Sequence, residues 1–104
     1  MDKDKQYHIG LKKGDVGRYV LLPGDPKRTE LIAKFFDNAK EVAFNREFRT
    51  FVGWIDKIKV MTTSTGIGCP SCAICIEELS KLGAEIFIRV GTTGALQDNI
   101  KLSD

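Results

Sequence analysis

A chain of 104 residues with 42% hydrophobic and 29% charged content holds enough apolar material for one small domain and too much for a disordered tract. A net charge of +2 spread over scattered lysines leaves no basic footprint for nucleic acid. The charged opening, residues 1–6, lacks the apolar centre of a signal peptide and no apolar run is long enough to span a membrane, so a cytoplasmic protein with no membrane partner is expected.

Tyr19 to Leu22 reads as a strand, followed at once by Pro23-Gly24-Asp25-Pro26-Lys27-Arg28. Asp25 suits an N-cap and Pro26 a first helical position, which predicts a helix over 26–36. Leu31, Ile32, Phe35 and Phe36 give that helix one apolar side. Gly24 permits close backbone approach, the helix start offers N–H groups, and Arg28 lies in the first turn. Together they suit an anion, although capping alone also explains a Gly-Asp-Pro helix start.

Glu41 to Ile55 alternates like a strand, with Phe48, Thr50, Val52 and Trp54 on one side. Asp56-Lys57 can turn it into a second strand, Ile58 to Thr63, although this turn lacks glycine. The loop Ser64 to Ser71 contains Gly66 and Gly68 and leads into a helix over 70–82, ended by Gly83. It is an incomplete dinucleotide fingerprint, because Ser71 stands where a third glycine belongs and no acidic residue follows at the required distance. Cys69, Cys72 and Cys75 form a C-x2-C-x2-C run without the fourth thiol of an iron–sulfur motif. At helical spacing they fan across the face that carries Ala73, Ile76, Leu79 and Leu82, where small apolar side chains pack and disulfides are not expected.

Glu85 to Ile88 reads as a strand buried on both faces, and Arg89-Val-Gly-Thr-Thr-Gly-Ala95 follows it. A guanidinium at the end of a buried strand needs an anionic partner. That partner is either a carboxylate of the chain or a bound anion, and this stretch alone does not decide. The carboxyl ends of strands in open α/β sheets are where ligands bind, and two strand-end arginines, each beside a glycine turn, favour the ligand.

Seven blocks occur in order: Tyr7 to Leu11, Leu22 to Arg28, Asn45 to Phe48, Ser64 to Gly68, Pro70-Ser71, Glu77 to Leu79 and Arg89 to Ala95. Over essentially the whole chain they resemble the amino-terminal part of the nucleoside phosphorylase family. The resemblance implies a three-layer α/β/α fold with a mixed central sheet, of which residues 1–104 would be the amino-terminal part of a single domain, a fragment or a truncated gene product. It implies phosphorolysis: a nucleoside and inorganic phosphate give a pentose 1-phosphate and a free base, with no cofactor.

It also implies roles. Gly24, Arg28, Arg89 and Thr92 would hold phosphate, Arg28 and Arg89 as the catalytic cations, and Arg46 would reach the phosphate of a neighbouring subunit. Taken alone, Arg46 reads as a strand-surface arginine paired with Glu47. His8 would cross a dimer interface to the 5′-hydroxyl of the ribose, which Thr92 also touches; taken alone, it reads as an exposed histidine without a role. Thr93 and Gly94 would line the base pocket. Glu47, the carbonyl of Ile67 and Ser71 would hold a potassium ion between subunits, with oxygen donors that suit a hard cation. A homo-oligomer, a hexamer built from dimers, is implied.

Thr92-Thr93, the Tyr7-to-Leu11 opening and the Asn45-to-Phe48 block resemble the uridine branch, which implies uridine as substrate, uracil and ribose 1-phosphate as products, and a place in nucleoside salvage and catabolism. Pro70 to Ala73 and Lys101 to Asp104 lean toward the purine branch. The base-reading residues and the ribose carboxylate of the family lie beyond the position of Asp104, so residues 1–104 alone are expected to be inactive. The alternatives are a purine nucleoside phosphorylase, a nucleoside hydrolase of the same fold, which would have little need of three phosphate-directed arginines, and a non-catalytic binding module.

Overall fold

Tyr19–Leu22 form an interior strand, β1, of the computed structural model, which describes residues 5–104. Alternation sends Val20 and Leu22 into one core and Tyr19 and Leu21 toward another, so apolar layers cover both sides of the strand. β4 (Ile58–Thr63) and β5 (Ile86–Arg89) flank β1, both parallel to it. β3 (Phe48–Ile55) and β2 (Asp37–Asn45) continue antiparallel beyond β4, giving the order β2-β3-β4-β1-β5. The expected mixed sheet is present. Of the charged opening, residues 1–4 lie outside the described residues, and no described helix is long and apolar enough to cross a membrane.

One helix covers each face. From α1 (Pro26–Ala33) and its exit, Ala33 and Phe36 pack with Val60, Tyr19, Leu21 and Phe51. From α2 (Cys69–Lys81) and its end, Cys75, Leu79 and Leu82 join Ile9, Leu11, Val20, Leu22, Phe48, Val52 and Met61. The layers are α/β/α.

Several local expectations change. α1 stops at Ala33, and Phe35 N–H and Phe36 N–H bond back three residues, to Ile32 O and Ala33 O at 3.0 Å. This tight exit turns Phe35 outward, 83% exposed, and Leu31 is 55% exposed. The buried stripe is instead Thr29, Ala33 and Phe36 with Ile32 beside it; the Thr29 hydroxyl is satisfied by donating to Pro26 O at 2.5 Å. The stretch from Glu41 to Ile55 is two strands hinged at Arg46-Glu47, not one. Phe48, Thr50 and Val52 are buried on a shared face as expected, with the Thr50 and Thr63 hydroxyls 3.0 Å apart across the strands, but Trp54 is half-buried. The Asp56-Lys57 hairpin forms, with φ of 49° and 69°, the doubly left-handed geometry of a tight turn reached without glycine.

β5 is not buried on both faces. It pairs with β1 only and forms a sheet edge among the described residues, with Ile86, Ile88 and Val90 exposed. The cysteines diverge along α2. Cys75 is fully buried and its thiol is pushed up to about 12 by burial, Cys72 is half-buried, and Cys69, like Ala73, faces solvent. Only Cys75 packs in the core, because only it shares the stripe of Leu79 and Leu82.

Gly53 lies in β3 where the exit of α1 crosses it. A Cβ there would stand 2.6 Å from Phe36 Cβ and 3.0 Å from Asp37 O. Gly53→Ala is therefore expected to destabilise the fold by about 1–3 kcal/mol, since overpacking forces the helix exit off the sheet. Denaturant unfolding checks it; an unchanged midpoint refutes the contact.

Candidate active site

The parallel strands β1, β4 and β5 end side by side, and the loops after them are tied together. Thr65 N–H donates to Pro23 O at 2.8 Å, Gly66 N–H to Gly24 O at 3.0 Å, and Val90 N–H to Leu22 O at 3.1 Å. The three loops enclose a cleft of about 880 Å³ lined by Gly24, Asp25, Pro26, Arg28, Glu47, Gly66, Ile67, Gly68, Arg89, Gly91 and Thr92. Gly24, Arg28, Arg89 and Thr92, from two separate blocks of the sequence, thus share one wall system at the carboxyl ends of parallel strands. Thr93 and Gly94 lie just outside it, lining the neighbouring surface formed by residues 91–104.

Arg89 makes no ion pair among the described residues, which disposes of the internal salt bridge as its purpose. Its Nη1 donates to Leu22 O at 2.9 Å and Val90 O at 2.6 Å, which uses both hydrogens of that nitrogen. Nη2 and Nε have no protein partner among the described residues. The guanidinium lies between two glycines: a Cβ on Gly24 would stand 3.3 Å from Nη2, and one on Gly91 only 2.8 Å from Nη1. The group is held at its back and presents its remaining donors, the arrangement that suits an anion's oxygens.

The start of α1 contributes less than the sequence implies. Pro26 has no N–H, Lys27 N–H donates to Asp25 Oδ1 at 2.9 Å, and Arg28 N–H donates to Asp25 O at 3.0 Å. Asp25 consumes the donors that an anion would use, so the positive charge of the cleft comes from the Arg28 and Arg89 side chains.

Glu47 enters from the β2–β3 turn. Its carboxylate accepts from Ser71 Oγ at 2.7 Å, and its main-chain carbonyl accepts from Ser64 Oγ at 2.6 Å; Ser64 Oγ in turn accepts from Arg49 N–H at 2.9 Å. The Ser71 hydroxyl also lies within hydrogen-bonding reach of Thr65 O. Gly66 makes this possible, with φ of 73° and a would-be Cβ only 2.5 Å from Glu47 Cγ. The Ser71 hydroxyl, chiefly, holds the Glu47 carboxyl below its ordinary value of 4.5.

Arg46 and His8 lie elsewhere, and together. Arg46, at φ of 54°, stacks 5.7 Å from the Tyr7 ring centroid rather than pairing with Glu47. Asn45 Nδ2 donates to His8 O at 2.7 Å. His8 is not idle: its Nδ1 lies 2.5 Å from Glu78 Oε2, while Glu78 Oε1 accepts from His8 N–H at 3.0 Å and Ile9 N–H at 3.1 Å. Sequence reasoning assigned Glu78 no role. The signal was present, since Cys75, Glu78, Leu79 and Leu82 fall at i, i+3, i+4 and i+7 and so place a carboxylate on the buried stripe.

Residues 18–104 match the Phosphorylase superfamily, and the chain belongs to it. It is 54% identical over 103 residues to the uridine phosphorylase of Thermococcus kodakarensis, an alignment covering 99% of this chain and 37% of that one. The crystal structure of uridine phosphorylase from Vibrio fischeri superposes with a TM-score of 0.91 at 43% identity, over 96% of this chain and 42% of that one. The purine nucleoside phosphorylase of Toxoplasma gondii, solved in complex with immucillin-H, superposes with a TM-score of 0.84 at 44% identity, over 88% and 37%. The chain thus spans about two fifths of the length of the relatives it matches.

Glu47 supplies a pH test. Because its carboxyl titrates lower in the folded protein, its contribution is fully present above 4.5 and is lost as acid protonates it through the lowered value. Ser71→Ala is expected to move the Glu47 midpoint up toward 4.5 in a carboxyl NMR titration. A midpoint that does not move shows that the Ser71 hydroxyl is not the cause.

Proposed function

We propose that the complete protein cleaves uridine with inorganic phosphate to give uracil and ribose 1-phosphate, without a cofactor, as a cytoplasmic enzyme of nucleoside salvage and catabolism. Residues 1–104 are read as the amino-terminal part of its single phosphorylase domain. The observation that carries the reading is Arg89, held between Gly24 and Gly91 with Nη2 and Nε unspent, in the cleft that also contains Arg28 and Thr92. The match to uridine phosphorylases supports it.

Phosphate is a dianion that must attack while the sugar becomes oxocarbenium-like. Arg28 and Arg89, both exposed among the described residues, offer positive charge and hydrogen-bond donors to the bound anion. Gly24 brings main chain against the same anion, and Thr92 offers a hydroxyl to phosphate and ribose. Thr93 and Gly94, on the adjoining surface, are assigned to the base. Arg46 and His8 both touch Tyr7 and neither lines the cleft, which supports their assignment to a neighbouring subunit's phosphate and ribose and hence a homo-oligomer, a hexamer of dimers. For a potassium ion between subunits the fit is reasonable: Glu47 is ionised, Ser71 Oγ touches it, and Ile67 lines the same cleft. These residues would hold the ion, which would supply a positive charge shared between the subunits.

A purine base is the second reading, favoured by the 44% identity to the Toxoplasma gondii enzyme. Assays with uridine, inosine and guanosine decide between them. Uracil release that depends on phosphate is the expected outcome; equal rates in phosphate-free buffer overturn phosphorolysis in favour of hydrolysis. Residues 1–104 alone are expected to give no turnover.

Two sets of variants test the cation. Arg89→Ala is expected to lose more activity than Arg89→Lys, both through phosphate use rather than melting temperature, because removing a charge-assisted bond to a bound anion costs about 1.5–3 kcal/mol. Gly91→Ala places its Cβ against the flexible end of Arg89, so phosphate affinity is expected to fall about tenfold with little change in stability. A fall in melting temperature with unchanged phosphate affinity refutes the assignment.

A further inference from the structure

A carboxylate on the buried stripe of α2 needs donors, and Glu78, 8% exposed, has three. Oε1 takes the main-chain N–H groups of His8 and Ile9, and Oε2 takes the ring nitrogen Nδ1 of His8. Two main-chain bonds alone would have anchored the segment to α2. The third fixes something else, the orientation of the imidazole. On the opposite side Asn45 Nδ2 grips His8 O at 2.7 Å, and the Tyr7 ring meets the imidazole edge-on at 4.9 Å. Neither the backbone nor the ring of His8 is left to choose its own direction.

We propose that Glu78 is the positioning residue for His8. The carboxylate can only accept, so the neutral ring facing it carries its proton on Nδ1 and keeps a lone pair on Nε2. Nε2 has no partner among the described residues, and the His8 side chain is 35% exposed against 10% for Glu78. The ring therefore offers a hydrogen-bond acceptor outward, on the face that also carries Tyr7 and Arg46, and a sugar hydroxyl can donate to it. This rests on the reading of His8 as the ligand of the ribose 5′-hydroxyl in a neighbouring subunit. It adds the group that sets the ring's polarity.

The test uses the complete protein with uridine and with 5′-deoxyuridine, which lacks the hydroxyl. His8→Ala is expected to lower kcat/KM for uridine about tenfold, the value of one hydrogen bond, and to leave 5′-deoxyuridine nearly unchanged. Glu78→Gln keeps an oxygen for the two main-chain donors but turns an amide N–H toward Nδ1, which moves the ring proton to Nε2. The hydroxyl can still accept from Nε2–H, so the loss should again be selective for uridine but smaller than that of His8→Ala, and the double variant should be no worse than His8→Ala. A loss from Glu78→Gln that falls equally on both substrates makes Glu78 merely structural and overturns the proposal, with the reading of His8 intact. A loss from His8→Ala that falls equally on both overturns the reading of His8 and the proposal with it. Imidazole 15N spectra, with His8 assigned by its absence in His8→Ala, give a readout independent of turnover. The expected wild-type signature is protonated Nδ1 with free Nε2; protonated Nε2 in the neutral ring overturns the proposal.

Discussion

The carboxyl end of the parallel strands depends on the carbonyl of Leu22. It receives Val90 N–H at 3.1 Å, which carries the β1–β5 pairing past the end of the strand, and Arg89 Nη1 at 2.9 Å, which folds the guanidinium back over that same end. One acceptor thus determines both where β5 stops and where its last side chain lies. A Cβ on Gly91 would crowd the guanidinium at 2.8 Å from Nη1, and one on Gly24 would press on Nη2 at 3.3 Å, so both glycines leave it room. The glycines at 24 and 91 belong to a charge-placement problem as much as to turn geometry.

The second constraint is the division of labour between the two halves of the sheet. The parallel half supplies the cleft through its three strand-end loops, whereas the antiparallel half delivers one hairpin turn to the cleft's rim. Within that turn neighbouring residues part company. Glu47 joins the cleft through Ser71 and Gly66, and Arg46 turns to Tyr7 and the face that holds His8. The left-handed backbone at Arg46 makes the divergence possible.

Strand and helix order, the Asp25 cap and the glycine loops were legible because each has a local signal: alternation, an N-cap beside proline, a glycine at a strand end; the mixed three-layer architecture came from the family resemblance. The grouping of Gly24, Arg28, Arg89 and Thr92 came from the resemblance; the residues by themselves showed only separate strand-end motifs, since parallel pairing, which brings them together, is non-local. Burial read less well. Glu85 to Ile88 was expected inside from its apolar content, but content does not say how many neighbours a strand has. Phe35 was expected on the apolar side of the helix, but the tight bonds from Phe35 and Phe36 end the helical period before it, and Leu31, inside α1, lies off the buried stripe of Thr29 and Ala33. Asp25, expected to leave donors for an anion, uses them itself.

The Asp56-Lys57 turn has a different kind of significance. Two side-chain-bearing residues sit there in left-handed conformations, each at a steric cost of about 1 kcal/mol that glycine would not incur. The turn lies at the β3–β4 tip, and neither residue lines the cleft between the ends of β1, β4 and β5. The molecule therefore carries an unclaimed reserve at a site indifferent to chemistry. Substitutions near the cleft that trade folding energy for altered specificity have a place where the loss can be recovered, and that separation makes the scaffold evolvable.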